Sequence, residues 1–197
     1  MTLPPGYFNR MYAQSDDPWG FGSRWYEQRK YALTLAALPD PAYSSALEIG
    51  CSIGVLTTAL AARCQRLVAL DPSATALAAA AHRVPGYVSL RQGSVPGDWP
   101  AGSYDLVVLS EVGYYLDRAD LDRTLSLIER DLAPGGTIVA CHWRHPVADY
   151  PLSGDAVHMS LAARWPRVSR ICEEDFLLDV LQPDGAVGVA RRTGLVS

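Results

Sequence analysis

The segment Leu47-Glu48-Ile49-Gly50-Cys51-Ser52-Ile53-Gly54 constrains this chain more than any other. An apolar run at 46–49 meets a turn with two glycines, and a run with helical character follows at 55–63. Glycine at 50 lets the backbone turn sharply and lets a ligand approach with no Cβ in the way. Gly54 lets the following helix pack close to the strand. One strand on, Leu67-Val68-Ala69-Leu70 ends in Asp71, close to the roughly 20-residue spacing at which a first crossover helix delivers an acid to a ribose diol. An order of strand, glycine turn, helix, strand and acid points to a nucleoside-bearing cofactor.

Two cofactor classes compete for such a turn. A dinucleotide turn reads Gly-x-Gly-x-x-Gly and sets a pyrophosphate on a helix N-terminus. Here residue 52 is serine and there is no third glycine in register. Glu48 stands at the strand end, where a carboxylate repels a pyrophosphate but suits a cationic cofactor. S-adenosylmethionine, with a sulfonium, an amino group and no phosphate, fits the acid and the glycine spacing together.

The rest of the chain alternates in the manner of a single α/β domain. Helices are expected at 23–38, 54–63, 73–83, 120–131 and 154–164, and strands at 45–49, 67–71, 87–92, 104–109 and 137–141. The strands are apolar on both faces, as in a parallel sheet covered by helices. Leu132-Ala133-Pro134-Gly135-Gly136 reads as a turn that stops a helix. Segments 167–172 and 176–182 are separated by only Glu173-Glu174-Asp175, too short for a parallel return, so they should pair antiparallel. The expected fold is α/β: a doubly wound, mostly parallel seven-stranded sheet with one reversed strand. Residues 1–40 form an N-terminal lid and first helix, 41–182 a Rossmann-like core, and 183–197 a tail of undefined structure.

Composition excludes several partners. A net charge of −4 without a basic run argues against nucleic acid. No apolar run approaches a membrane span, and Met1-Thr2-Leu3-Pro4-Pro5 lacks the features of a signal peptide, so a cytoplasmic location is expected. Cys51, Cys64, Cys141 and Cys172 show no Cys-x-x-Cys pair and read as free thiols. His142-Trp143-Arg144-His145 has no further ligand at metal spacing, so no metal is expected.

The glycine turn, Asp71, Gly93-Ser94 after the third strand and the Pro-Gly-Gly turn together resemble class I S-adenosylmethionine-dependent methyltransferases across residues 23–182. A narrower likeness lies in Asp17-Pro18-Trp19-Gly20-Phe21, in Trp25-Tyr26-Glu27-Gln28-Arg29-Lys30, in 48–56, in Ser110-Glu111-Val112-Gly113-Tyr114-Tyr115-Leu116 and in Ser153-Gly154-Asp155-Ala156-Val157-His158. These resemble the NodS group, the nodulation N-methyltransferases, whose founding members methylate the free amine of a de-acetylated chito-oligosaccharide. The resemblance implies N-methylation of an amino sugar or aminoglycoside-like compound, with S-adenosylhomocysteine as product. It does not name the sugar, and it leaves open whether the chain is a homodimer.

In that architecture the backbone of Gly50, Cys51 and Gly54 should follow the methionine and ribose of the cofactor. Asp71 should accept both ribose hydroxyls. Pro72 should lie beside the adenine, and Ser94 and Val95 should read its edge, although aspartate is commoner than serine at 94. Ser110 completes this set. Glu48 orients the glycine turn or the cofactor amine, or is a buried strand-end acid. Trp19 and Arg24 belong to a segment that can fold over the cofactor; an arginine suits the methionine carboxylate, and Arg29 competes for that role. Glu111, past the fourth strand, and His142, past the fifth, are the alternative bases for a substrate ammonium. Tyr114 and Tyr115 offer an aromatic wall for a sugar or cation, with His145 and His158 in reserve. Two other readings stay open: an O-methyltransferase of natural products, and a cofactor-binding partner subunit without catalysis.

Overall fold

The computed structural model describes residues 1–196. One sheet contains β1 (Ala46–Ile49), β2 (Leu67–Asp71), β3 (Ser89–Gln92), β4 (Tyr104–Ser110), β5 (Leu132–Trp143), β6 (Arg167–Cys172) and β7 (Phe176–Leu181). Their order is β3-β2-β1-β4-β5-β7-β6. The first five strands are parallel, and β7 alone is reversed, antiparallel to both β5 and β6. The chain winds outward from β1 to β3 and then returns to place β4 on the other side of β1. That reversal opens a crevice beyond the carboxyl ends of β1 and β4.

Alternation along each strand sends residues to two cores. Ala46, Leu106, Val108, Val139 and Leu178 pack beneath α2 (Trp25–Ala37) and α3 (Val55–Ala61). Leu47, Ile49, Val107, Leu109 and Ile138 face α5 (Arg118–Asp131) and α6 (Gly154–Arg164). Leu106 to Leu109 are fully buried, and each such aliphatic side chain contributes about 1.5–3 kcal/mol relative to exposure. Capping side chains start the helices where the chain leaves the sheet. Ser73 Oγ accepts from the amide of Ala76 at the head of α4 (Ala74–Ala81), Asp117 from Asp120, and Ser153 from Ala156.

Three elements differ from expectation. Helix α1 (Pro5–Gln14) forms where only a lid was expected, started by Pro5 in its first turn. The Pro-Gly-Gly stretch lies inside β5, because Leu132 already pairs with Tyr104 and the irregularity is absorbed as a register shift, with Gly135 at φ +72°. The C-terminal segment contains α7 (Val189–Arg192), whose Arg192 pairs with Asp40. Cys51, Cys64 and Cys141 are buried, Cys172 is exposed, and all four are free.

Candidate active site

At the carboxyl edge of β1, β2 and β4 lies a cavity of about 480 Å³. Its floor begins at Gly50, at φ +79°. A Cβ there would collide with Val112 Cγ2, so the glycine supplies both the backbone conformation and the space. The amides of Gly50 and Cys51 donate to Leu70 O at 2.7 and 3.0 Å, tying the turn to β2. Asp71 then enters the cavity from the end of β2. Its Oδ2 accepts from the Ser52 amide at 2.8 Å and its Oδ1 from the Ser73 amide at 2.9 Å. Burial pushes its pKa up to about 6, against the pull of those two amides. Each oxygen keeps a lone pair, an arrangement that fits a vicinal diol.

Pro72, Gly93, Ser94 and Val95 continue the wall beside Asp71, with the Ser94 amide fixed on Asp98 Oδ2 at 2.9 Å. The roof comes from the N-terminal segment. Trp19 stacks on Phe21 with ring centroids 5.5 Å apart and meets Tyr12 edge-on at 5.6 Å. The Tyr12 hydroxyl hydrogen-bonds Ser52 Oγ, which latches the roof onto the glycine turn. Arg24 precedes α2 and also lines the cavity, its stem lying against Gly20.

The opposite end is acidic and aromatic. Glu111 follows β4 at φ +57°, a conformation in which its amide donates to Cys141 O at 2.8 Å. Its Oε1 accepts from Lys30 Nζ at 2.6 Å, and its Oε2 from the Trp143 amide at 3.0 Å and from the Tyr114 hydroxyl. Lys30 is 2% exposed and also pairs with Glu27 Oε2 at 2.9 Å. Burial opposes the charge of Lys30, but Glu111 and Glu27 outweigh it and hold its pKa above the ordinary lysine range. Two carboxyls and one ammonium thus face the same space, walled by Tyr26, Tyr114, Tyr115, Trp143 and Tyr150. Tyr114 and Tyr150 stack at 4.9 Å.

Of the residues singled out in the sequence, Trp19, Arg24, Gly50, Asp71, Pro72, Ser94, Val95, Ser110, Glu111, Tyr114 and Tyr115 all line this cavity. Four others stand behind its wall. Glu48 is buried beneath the turn, its carboxyl pushed up to about 7 by burial, with Thr57 lowering it and Asp71 raising it. Cys51 is buried among apolar neighbours. Gly54, at φ +80°, faces Ala80 and Val84, where a Cβ would come within 3.0 Å; its role is helix packing. His142 is fully buried, with one ring nitrogen on the Gly113 amide and the other toward His158. Arg29 lies at the surface in a two-point pair with Glu173, and His145 pairs with Asp175. Tyr12, Tyr26, Glu27, Lys30 and Tyr150 also line the cavity, although none was a candidate site residue in the sequence, where 25–30 counted only toward the family likeness. Tyr26, Glu27 and Lys30 sit three and four residues apart on α2, the spacing of one helix face, which is the signal that could have grouped them.

The family model described as Nodulation protein S (NodS) matches residues 8–150. The Nodulation protein S of Rhizobium tropici is 34% identical over 129 residues, covering 64% of this chain and 54% of that protein. That of Bradyrhizobium diazoefficiens is 31% identical over 128 residues, covering 63% and 61%. The chain therefore spans less than two thirds of the length of these curated relatives. The solved N-methyltransferase NodS from Bradyrhizobium japonicum WM9, in complex with S-adenosyl-L-homocysteine, superimposes with a TM-score of 0.83 at 27% identity, over 91% of this chain and 98% of that one. A solved chain from Pseudomonas syringae is 44% identical with a TM-score of 0.71, over 80% and 99%.

Proposed function

The chain belongs to the Nodulation protein S family, and on that premise we propose that it is an S-adenosylmethionine-dependent N-methyltransferase acting on an amine of a small amino sugar or aminoglycoside-like compound. The observation that carries this reading is the polarity of one cavity. Asp71 and the Cβ-free surface of Gly50 stand at one end, and Glu27 and Glu111 stand among tyrosines at the other. The bound S-adenosyl-L-homocysteine of the Bradyrhizobium japonicum relative supports the choice of cofactor.

S-adenosylmethionine supplies an electrophilic methyl on a cationic sulfur. The residues of this chain bind and orient around it. Asp71 would take the two ribose hydroxyls on its free lone pairs, Pro72, Ser94 and Val95 would hold the adenine, and Arg24 would pair with the methionine carboxylate. Trp19, Phe21 and Tyr12 close over the site and exclude water. At the acceptor end the two carboxyls draw in an amine, and the tyrosines give a sugar ring apolar faces. Only a neutral amine attacks. An acceptor that enters as an ammonium would pass its proton to the one lone pair of Glu111 that Lys30, Tyr114 and Trp143 leave free, which releases the nitrogen lone pair for attack. Methyl transfer is largely a matter of such positioning. His142 has no access to the cavity and takes no part in proton transfer.

The test is incubation of the purified chain with S-adenosylmethionine and a panel of amino sugars, read by mass spectrometry. A gain of one methyl on an amine nitrogen is expected. Methyl gain confined to hydroxyls, or absent from every acceptor, would overturn the reading.

A further inference from the structure

Behind the acceptor end lies a buried polar chain that the proposed chemistry does not use. The Gly113 amide donates to His142 Nε2 at 3.0 Å, His142 Nδ1 faces His158 Nε2 at 3.1 Å, and His158 Nδ1 faces Asp179 Oδ2 at 2.7 Å. Arg170 closes the chain with a two-point pair to Asp179, at 2.7 and 2.6 Å. His142, His158 and Asp179 are all essentially inaccessible to solvent. The links come from the 3₁₀ turn Gly113–Tyr115, β5, α6, β7 and β6 in succession.

The donors fix every tautomer. The Gly113 N–H can only donate, so Nε2 of His142 carries a lone pair and its proton sits on Nδ1. That proton must find an acceptor, so His158 Nε2 is unprotonated and His158 Nδ1–H donates to Asp179. Burial holds the His142 pKa well below the ordinary histidine range, so it stays neutral. Glycines pack against the ring and against the strand that carries it. A Cβ on Gly113 would come within 3.0 Å of His142 Nε2 and 2.6 Å of Val157 Cγ1, and one on Gly154 would meet the Trp143 carbonyl at 2.2 Å and His142 Cβ at 3.1 Å. Apolar side chains would fill this volume but would leave the Gly113 amide buried without an acceptor.

We propose that His142, His158 and Asp179 form a positioning relay that sets the turn carrying Glu111, Tyr114 and Tyr115 into the cavity. Glu111 sits two residues before the anchored amide and Tyr114 one residue after it. The Tyr114 ring also meets His142 edge-on at 5.4 Å. The relay acts through that turn and touches neither cofactor nor acceptor. Its kinetic consequence rests on the methyltransferase reading; its structural consequence does not.

The test uses the full chain as His142→Phe, His158→Leu and His158→Gln variants. Glutamine at 158 can accept from His142 and donate to Asp179, so it should behave as the wild type. In His142→Phe and His158→Leu, hydrogen exchange at the Gly113 amide should accelerate at least tenfold, while exchange at Val108 and affinity for S-adenosylhomocysteine change less than threefold. With the amino sugar methylated by the wild type, kcat should fall at least tenfold at unchanged KM for S-adenosylmethionine, and His158→Gln should restore it. Unchanged Gly113 exchange in a folded variant, unchanged kcat, or no rescue by glutamine would overturn the relay. If His142→Phe does not fold, the two His158 variants decide. A wild type that methylates no amine overturns the functional reading alone, and Gly113 exchange still decides the relay.

Discussion

Asp71 and Glu48 are acids that the fold buries without a cation, Glu48 just before the glycine turn and Asp71 holding the Ser52 amide of that turn. Their folded pKa values are raised to about 6 and about 7. The unfolded chain ionises them near pH 4, so the folded state loses stability as pH rises from there to about 7, with the full penalty above. For Glu48 that penalty is about 3 kcal/mol. Glu48→Gln should therefore raise stability toward urea at pH 8 by up to this amount and leave it unchanged at pH 4; an equal effect at both would contradict the assignment. Asp71 carries the opposite expectation for binding. Asp71→Ala should weaken S-adenosylhomocysteine binding by about 1–3 kcal/mol, and wild-type affinity should fall as pH drops below about 6, when the double acceptor gains a proton. Glu111→Gln should depress turnover far more than cofactor affinity, as kcat and calorimetry would register. Lys30→Met leaves Glu27 and Glu111 facing each other unpaired and should destabilise by about 3–5 kcal/mol, measured by urea denaturation. That lysine illustrates what one-dimensional reading misses. Its partner Glu111 lies 81 positions away, and their meeting depends on how α2 crosses the end of β4.

At the scale of elements, legibility followed the strength of the local pattern. Strands β1, β2, β4 and β5 announced themselves by apolar residues on both faces, whereas β3 (Ser89–Gln92) departs from that expectation as a largely exposed edge strand; β6 and β7 were legible from a link too short for anything but antiparallel pairing, closed by the Glu173 amide on Phe176 O at 3.0 Å. Helix α1 was not legible because it opens on Pro4-Pro5-Gly6, poor helix formers, and Tyr12 is the one residue it buries. Its position is set by long-range ties, the Leu3 amide on Tyr115 O at 2.9 Å and the Asp117 amide on Thr2 Oγ1 at 2.9 Å. The glycine turn was legible as chemistry but not as to which glycine does what. Gly50 faces the cavity and Gly54 faces α4, a distinction set by the packing of Val112 on one side and Ala80 on the other. Gly50→Ala must hold a Cβ at positive φ, at a cost of about 1–2 kcal/mol, and must also displace Val112. Lower stability toward urea and loss of S-adenosylhomocysteine binding are expected together. A fully stable variant that binds normally would show that the turn has other room.

For the whole molecule, the order of strands decides where chemistry can happen. With β1 and β4 adjacent and their crossovers leaving in opposite directions, one crevice is created, and Gly50, Asp71 and Glu111 are the residues that follow β1, end β2 and follow β4 at its mouth. That convergence was readable because each of the three follows or ends an apolar run. Trp19 was expected in a covering segment, but the Tyr12 latch of the roof, the Lys30 pair and the histidine relay were not readable, since each joins segments that only the completed fold brings together. Among the described residues no helix is long and apolar enough to cross a membrane. The central claim is that the crevice holds an adenosyl group carrying no pyrophosphate, gripped through its diol by Asp71. The most direct measurement is thermal unfolding of the wild type and of Asp71→Ala, each with S-adenosylhomocysteine and, separately, with NAD. A rise in Tm with S-adenosylhomocysteine alone, largely lost in Asp71→Ala, is the predicted result. A rise with NAD and none with S-adenosylhomocysteine would contradict it.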